Sequence, residues 1–285
     1  GGTVDKPKPS VLYTMRLVAS MALWCPLTGI PAILALLFAP IFGLSNVQTF
    51  TWRCSVCFFR IILWSAGCSY TVVGLENLDA NKAYFFCSNH ESHFDVPLIF
   101  STLPFWLISI AKKSLLYVPV FGWAVAAGGT VWVDRKNTTK AMSSMSSAEK
   151  SLRARPRSVI VFPEGTRSRD GNLQPFKKGG LVLAIQTGQP VVPVCVHGTI
   201  NVVEKGGRWV TPQKLTVCYG KPIPTDKMTF DDRDELVAKL EAAIIELKKK
   251  APKYSGRNSK VEPFWRCFLP TPPPSITNAW GRAPP

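Results

Sequence analysis

The sequence predicts an α/β domain with a central, mostly parallel sheet flanked by helices, preceded by an apolar helical segment that associates with a membrane. Three observations carry this. From Tyr70 onward, short apolar runs alternate with stretches of helical periodicity. From Leu17 to Trp52 there is no charged residue. The 285 residues carry a net charge of +16 although 46% of them are hydrophobic, a balance suited to an anionic lipid surface. Nucleic acid is disfavoured as the anionic partner, because no zinc-finger spacing, ribonucleoprotein signature or basic zipper helix occurs.

Residues 1–10 read as a flexible basic N-terminus. Residues 11–69 read as the membrane-associated helical segment. A single span from Leu17 to Gly43 would exceed the roughly 20 apolar residues a bilayer requires. Pro26, Gly29, Pro31 and Pro40 interrupt it, so two shorter helices or a re-entrant hairpin fit as well. A helical hairpin buried in a soluble core is the bland alternative. Lys6, Lys8 and Arg16 lie before the segment and Arg53 and Arg60 after it, which places both ends on the cytosolic side.

Residues 70–250 read as the α/β domain. Strands are expected at Tyr70–Val73, Ala83–Cys87, Trp106–Ile110, Thr130–Val133, Val159–Phe162, Val191–Val196 and Leu215–Tyr219. Helices are expected near Val96–Ser101, Lys140–Arg153 and Gly180–Gln186. A last helix starts from a cap at Thr229 or Asp231, buries Leu236, Leu240, Ile244 and Leu247, and ends in Lys248, Lys249 and Lys250, a solvated basic run. From Ala251 to residue 285 the chain reads as a proline-rich flexible tail. Most of the eight cysteines sit in apolar runs and act as small hydrophobes, and Cys54 and Cys57 form a lone C-x-x-C without a second pair.

The segment Asn89–Asp95 reads NHESHFD, and it holds two of the three histidines of the chain. His90 and Asp95 supply an imidazole to take a proton and a carboxylate to orient it. On one continuous helix they would point about 140° apart. They can meet if His90 sits in a turn and Asp95 opens the following helix. By spacing alone, a capping Asp95 beside a surface His90 stands as the alternative. His90 and His93 lack the further ligands a metal would need, so no metal is expected.

A second block, VFPEGTRSRD over Val161–Asp170, brings a carboxylate, a glycine, a hydroxyl and a guanidinium to a strand end: Glu164, Gly165, Thr166 and Arg167. Open α/β sheets bind ligands at such ends, and arginine's planar fork suits phosphate. The alternative is a turn held by a Glu164–Arg167 ion pair. GGTVWVDR delivers Asp134 and Arg135, and Ala111-Lys112-Lys113 follows another strand. Three strand ends thus deliver cations.

NHESHFD, AKKSLLYVPVFGW, GGTVWVDR, VFPEGTRSRDG with Phe176-Lys177-Lys178-Gly179, and the VVPV of Val191–Val194 resemble, in order and spacing, the signature blocks of the glycerolipid acyltransferases of the lysophosphatidic acid acyltransferase (PlsC) type. The likeness runs from about Tyr70 to Leu247, and the N-terminal apolar segment resembles that family's membrane-binding helical motif. It implies the glycerolipid acyltransferase fold and a reaction of phospholipid biosynthesis: transfer of a fatty acyl group from acyl-CoA or acyl carrier protein to lysophosphatidic acid, giving phosphatidic acid. No cofactor beyond that co-substrate is implied.

The resemblance makes His90 the general base and Asp95 its orienting partner, with direct attack and no acyl-enzyme. The absence of a G-x-S-x-G elbow agrees with that. It puts Lys112, Arg135, Glu164 and Arg167 on the acceptor phosphate, lets Gly165 and Thr166 shape that pocket, and places Pro193 on a wall of the substrate cleft. Backbone amides around His90 would hold the oxyanion. The expected site is membrane-associated and faces the cytosol or an equivalent compartment. Glycerol 3-phosphate or another lysophospholipid is an alternative acceptor, and a non-catalytic membrane protein that binds acidic lipid is an alternative class.

Overall fold

The structure, a computed structural model, describes residues 8–133, 138–204 and 206–254. Most of the expected basic N-terminus (residues 1–7) and of the expected tail (residues 255–285) is outside the described residues, as is Arg135.

Helix α1 (Val11–Leu34) begins at Ser10, whose side chain accepts the Tyr13 N–H, and continues through Pro26 and Pro31. The prolines do not break it. The chain turns instead after the short helix α2 (Ala39–Phe42), at Gly43, whose φ of +80° suits a residue without Cβ. Helix α3 (Leu44–Ser65) then returns along α1. The segment is therefore a pair of long helices. The stretch Val11–Phe42 is long and apolar enough to cross a membrane, and Leu12, Met15, Val18, Leu37, Ile41 and Phe42 are among its exposed side chains.

Seven strands form one sheet: β1 (Ser69–Val73), β2 (Phe85–Ser88), β3 (Leu107–Lys112), β4 (Val131–Val133), β5 (Ser158–Val161), β6 (Val191–His197) and β7 (Lys214–Tyr219). Their order is β1-β7-β6-β2-β5-β3-β4, and every neighbouring pair is parallel except β6 with β7. The mostly parallel α/β architecture expected from the alternating pattern is the architecture present.

Helices cover both faces. On one, α3 and α4 (Asp95–Thr102) pack Phe59, Leu63, Leu98 and Ile99 against Phe86, Val194 and Val217. On the other, α6 (Thr138–Ala154), α7 (Gly179–Thr187) and α8 (Arg233–Tyr254) pack Leu152, Leu181, Leu240 and Ile244 against Phe85, Val159 and Val191. Adjacent Phe85 and Phe86 feed opposite cores because strand side chains alternate, and each is 0% exposed. Burial of one such side chain is worth about 1.5–3 kcal/mol, so β2 is fixed in register from both sides.

Helix α5 (Phe121–Ala127) between β3 and β4 has no counterpart in the sequence reading. Helix α8 also runs four residues beyond the expected tail boundary: it passes through Pro252, and Ala251 is fully buried beside Cys195 and Cys218. Its entry is a capping box in which Thr229 and Asp232 exchange hydrogen bonds.

Candidate active site

Strands β2, β5, β3, β4 and β6 run the same way, so the loops that follow them gather at one edge of the sheet. The central strand β2 leads directly into Asn89-His90. Asn89 is 1% exposed and prolongs the ladder with its side chain: its Oδ1 accepts the Val196 N–H (2.8 Å) and its Nδ2 donates to the Val196 carbonyl (3.0 Å). The chain is thereby held to β6 one residue past the end of the strand pairing.

The loop turns and α4 opens with Asp95, which is 0% exposed. Asp95 Oδ2 accepts three hydrogen bonds, from His90 Nδ1–H (2.7 Å), Glu91 N–H (2.7 Å) and Ser92 N–H (2.8 Å). Backbone donors at a helix start stabilise a carboxylate, and the carboxylate in turn fixes the proton of His90 on Nδ1. Nε2, on the far side of the ring, is left with a lone pair. The imidazole stacks on Phe162, with ring centroids 4.1 Å apart and planes 26° apart, and keeps 20% of its side chain exposed. The turn-plus-helix arrangement brings His90 and Asp95 together despite their spacing.

The second block clamps the first through the main chain of His90. Glu164 Oε1 accepts the His90 N–H (2.7 Å), Glu164 Oε2 accepts the Gln174 N–H (2.9 Å), and Ser168 N–H donates to the His90 carbonyl (2.7 Å). Glu164 is 2% exposed, and its burial pushes the carboxyl above the usual range, against the opposing pull of the two N–H donors. Both oxygens are thus engaged by backbone, so Glu164 braces the loop where a phosphate contact was expected. Gly165 makes the turn at φ +70°, and a Cβ there would lie 3.0 Å from Lys177 Cδ.

Thr166 and Arg167 are exposed and line a cleft of about 520 Å³ with Arg169, His93, Ser168 and Glu91 on one side and Ile200, Val203 and Glu204 on the other. His90 itself stands beside this cleft, in the loop that forms one wall. Burial and the neighbouring charges of Arg167 and His90 hold the His93 imidazole below its ordinary pKa. Lys112 is exposed at the end of β3, on the same edge of the sheet, where it pairs with Val133; Arg135 is outside the described residues. Lys178 is paired with Asp234 (2.6 Å).

Two expectations meet a different geometry. Pro193 does not line the cleft: it is buried inside β6 opposite Cys87. Its missing N–H is tolerated there because the partner chain bulges, the pairs Val194–Tyr219 and Val191–Ile223 enclosing one extra residue. The amides of His90, Glu91 and Ser92 are engaged by Glu164 and Asp95.

Sequence reasoning passed over Asn89, Glu91, Phe162 and Lys248. Lys248 of α8 forms an ion pair with Glu91 Oε1, which also accepts from Asn89 Nδ2 (3.0 Å). The NHESHFD block contained the signal for two of these, since Asn89 and Glu91 flank His90.

Comparison with known proteins accords with this fold. A family profile described as acyltransferase matches residues 69–197. The 1-acyl-sn-glycerol-3-phosphate acyltransferase of Limnanthes douglasii is 35% identical over 185 residues, 65% of this chain and 65% of the relative. The enzyme of that name from Saccharomyces cerevisiae is 34% identical over 197 residues, 68% of this chain and 65% of the relative. The chain thus spans slightly less than two thirds of the length of these curated relatives. The crystal structure of the 1-acyl-sn-glycerophosphate acyltransferase PlsC from Thermotoga maritima superposes with a TM-score of 0.71 at 25% identity, covering 88% of this chain and 98% of that one. With the His90–Asp95 pair, the brace from Glu164 and the parallel sheet all in place, the chain resembles the acyltransferases of the PlsC type in fold and in the segment matched by the acyltransferase profile.

Proposed function

We propose that this protein transfers a fatty acyl group from a thioester donor, acyl-CoA or acyl carrier protein, to the free hydroxyl of lysophosphatidic acid, forming phosphatidic acid. The observation that carries the reading is the 2.7 Å contact between His90 Nδ1 and an Asp95 oxygen already held by two backbone N–H groups. That arrangement leaves Nε2 as a base with a fixed tautomer. Nε2 takes the proton of the acceptor hydroxyl as its oxygen attacks the thioester carbonyl. The tetrahedral intermediate then collapses, the C–S bond breaks, and the imidazolium returns the proton to the thiolate. Asp95 stabilises the transient imidazolium throughout.

The acceptor phosphate sits at the cleft with Arg167, whose planar guanidinium matches it; Lys112, at the end of β3, and Arg135 are the further cations for it. Glu164 acts by holding the His90 main chain, and Gly165 and Thr166 shape the turn that carries Arg167. The exposed apolar face of α1 and α2 keeps the acyl chains of both substrates in lipid while the reaction proceeds at headgroup level.

The test is acyl transfer by the purified protein in lipid nanodiscs, with lysophosphatidic acid, glycerol 3-phosphate and a neutral lysophospholipid as acceptors and both donor types supplied. Phosphatidic acid is expected from lysophosphatidic acid, and His90→Ala is expected to abolish it while vesicle binding is retained. Undiminished transfer by His90→Ala, or no transfer to lysophosphatidic acid from either donor, would sink the reading.

A further inference from the structure

The apolar stripe of α8 runs Leu236, Leu240, Ile244, and the next position at that spacing is Lys248. A charged residue therefore stands where the helix turns inward. The side chain is 29% exposed, and its ammonium meets Glu91 Oε1 across 157 residues of sequence. Glu91 is 8% exposed. Its carboxylate is held from two sides, by Lys248 of α8 and by Asn89, which is itself bonded to β6. Its main-chain N–H is one of the three donors to Asp95 Oδ2. One residue thus connects the last helix to the carboxylate that orients His90.

The charge balance gives that link its force. Three buried carboxylates, Asp95, Glu164 and Glu91, surround the His90 turn. Among the described residues, Lys248 is the one lysine or arginine in ion-pair contact with any of them. A carboxylate left buried without its cation must turn toward water or bind a proton. For Glu91 either change tugs the loop whose next-door amide holds Asp95. Burial already pushes the Glu91 carboxyl above the usual range, with Lys248 as the main influence in the other direction.

We propose that Lys248 is a positioning residue for the reaction: by neutralising and anchoring Glu91, it fixes the loop that aligns Asp95 with His90. It touches neither substrate nor the reacting atoms. The proposal rests on the acyl-transfer reading for its kinetic readout, and a second readout is independent of that reading.

The experiment compares wild type, Lys248→Met and the double variant Glu91→Gln/Lys248→Met, full-length in nanodiscs and below their melting temperatures, with rates normalised to folded protein. Lys248→Met should lower kcat by about tenfold or more while both KM values stay within about twofold. It should also shift or broaden the low-field proton resonance of the His90 Nδ1–H, identified as the signal missing from His90→Ala. Removing both charges keeps an acceptor for Asn89 and leaves no unpaired charge at this contact, so the double variant should recover both rate and resonance. Wild-type kcat and an unmoved resonance in Lys248→Met would overturn the proposal, as would a double variant that regains its melting temperature but not its rate. If the wild type transfers no acyl group, the reaction assignment fails, and the resonance alone decides whether Lys248 positions the pair.

Discussion

Asp95→Asn isolates the charge of the carboxylate from its shape. Asp95 Oδ2 serves two backbone donors, Glu91 N–H and Ser92 N–H, and these fix which way an asparagine amide would lie: its oxygen must face them. His90 Nδ1–H then still meets an oxygen, so the tautomer is retained and only the negative charge is lost. With about 4 Å between the centres of carboxylate and imidazolium and an effective dielectric near 20, that charge stabilises the imidazolium by roughly 4 kcal/mol. Nearly all of this acts in the transition state, which corresponds to about a thousandfold in kcat. The amide nitrogen would occupy the place of Oδ1, a buried atom without a protein partner, at about 1–3 kcal/mol of stability. The assay is steady-state acyl transfer with thermal unfolding on the same preparation. Retention of more than about a tenth of wild-type kcat by folded Asp95→Asn would refute the electrostatic role assigned to this residue.

Glu164→Gln keeps one carbonyl oxygen where two acceptors are needed, orphaning the N–H of His90 or of Gln174. It should cost about 1–3 kcal/mol of stability and lower kcat while the acceptor KM barely moves; a loss confined to acceptor KM would show a substrate contact instead. His197 is held below its ordinary pKa by burial, with the charge of Lys248 adding to the effect, so the unfolded chain takes up its proton at higher pH than the folded one. The stability from keeping it neutral is present above its ordinary pKa of 6.5 and is lost as pH falls through the lower folded value. Melting temperatures of wild type and His197→Gln should therefore converge between pH 7.5 and 5.5, and parallel curves would contradict this.

Much of the fold was legible because a two-sided parallel sheet imposes simple patterns. Strands such as Val191–Val196 are apolar on both faces and bounded by polar turns, and each expected strand overlaps an observed one. What was misjudged depended on context. Pro26 and Pro31 are poor helix residues in isolation, yet α1 absorbs both, and the chain reverses at Gly43, where positive φ is required. The helix was expected to end at Lys250, but burial of Ala251 against Cys195 and Cys218 carries α8 on through Pro252. Tertiary packing outweighs local preference at these points.

The site was legible to a different degree. His90, Asp95 and Arg167 announce themselves by residue type, because a base, an orienting carboxylate and a planar cation are scarce and chemically distinctive. Asn89, Glu91, Glu164 and Lys248 do not, because they act on backbone amides or on one another, and neither task leaves a periodic trace. Glu164 shows the consequence. Its motif invites a substrate contact, yet His90 needs a partner for its N–H where the loop leaves the sheet, and a buried carboxylate meets that need. The same logic explains Lys248: a lysine ending an amphipathic helix reads as solvated until Glu91 is seen beneath it. Scarce residue types mark where the chemistry can occur, while its alignment rests on polar residues that satisfy donors and charges contributed by distant parts of the chain. A substitution at Lys248 should therefore resemble damage to the His90 turn itself more than the loss of a surface charge.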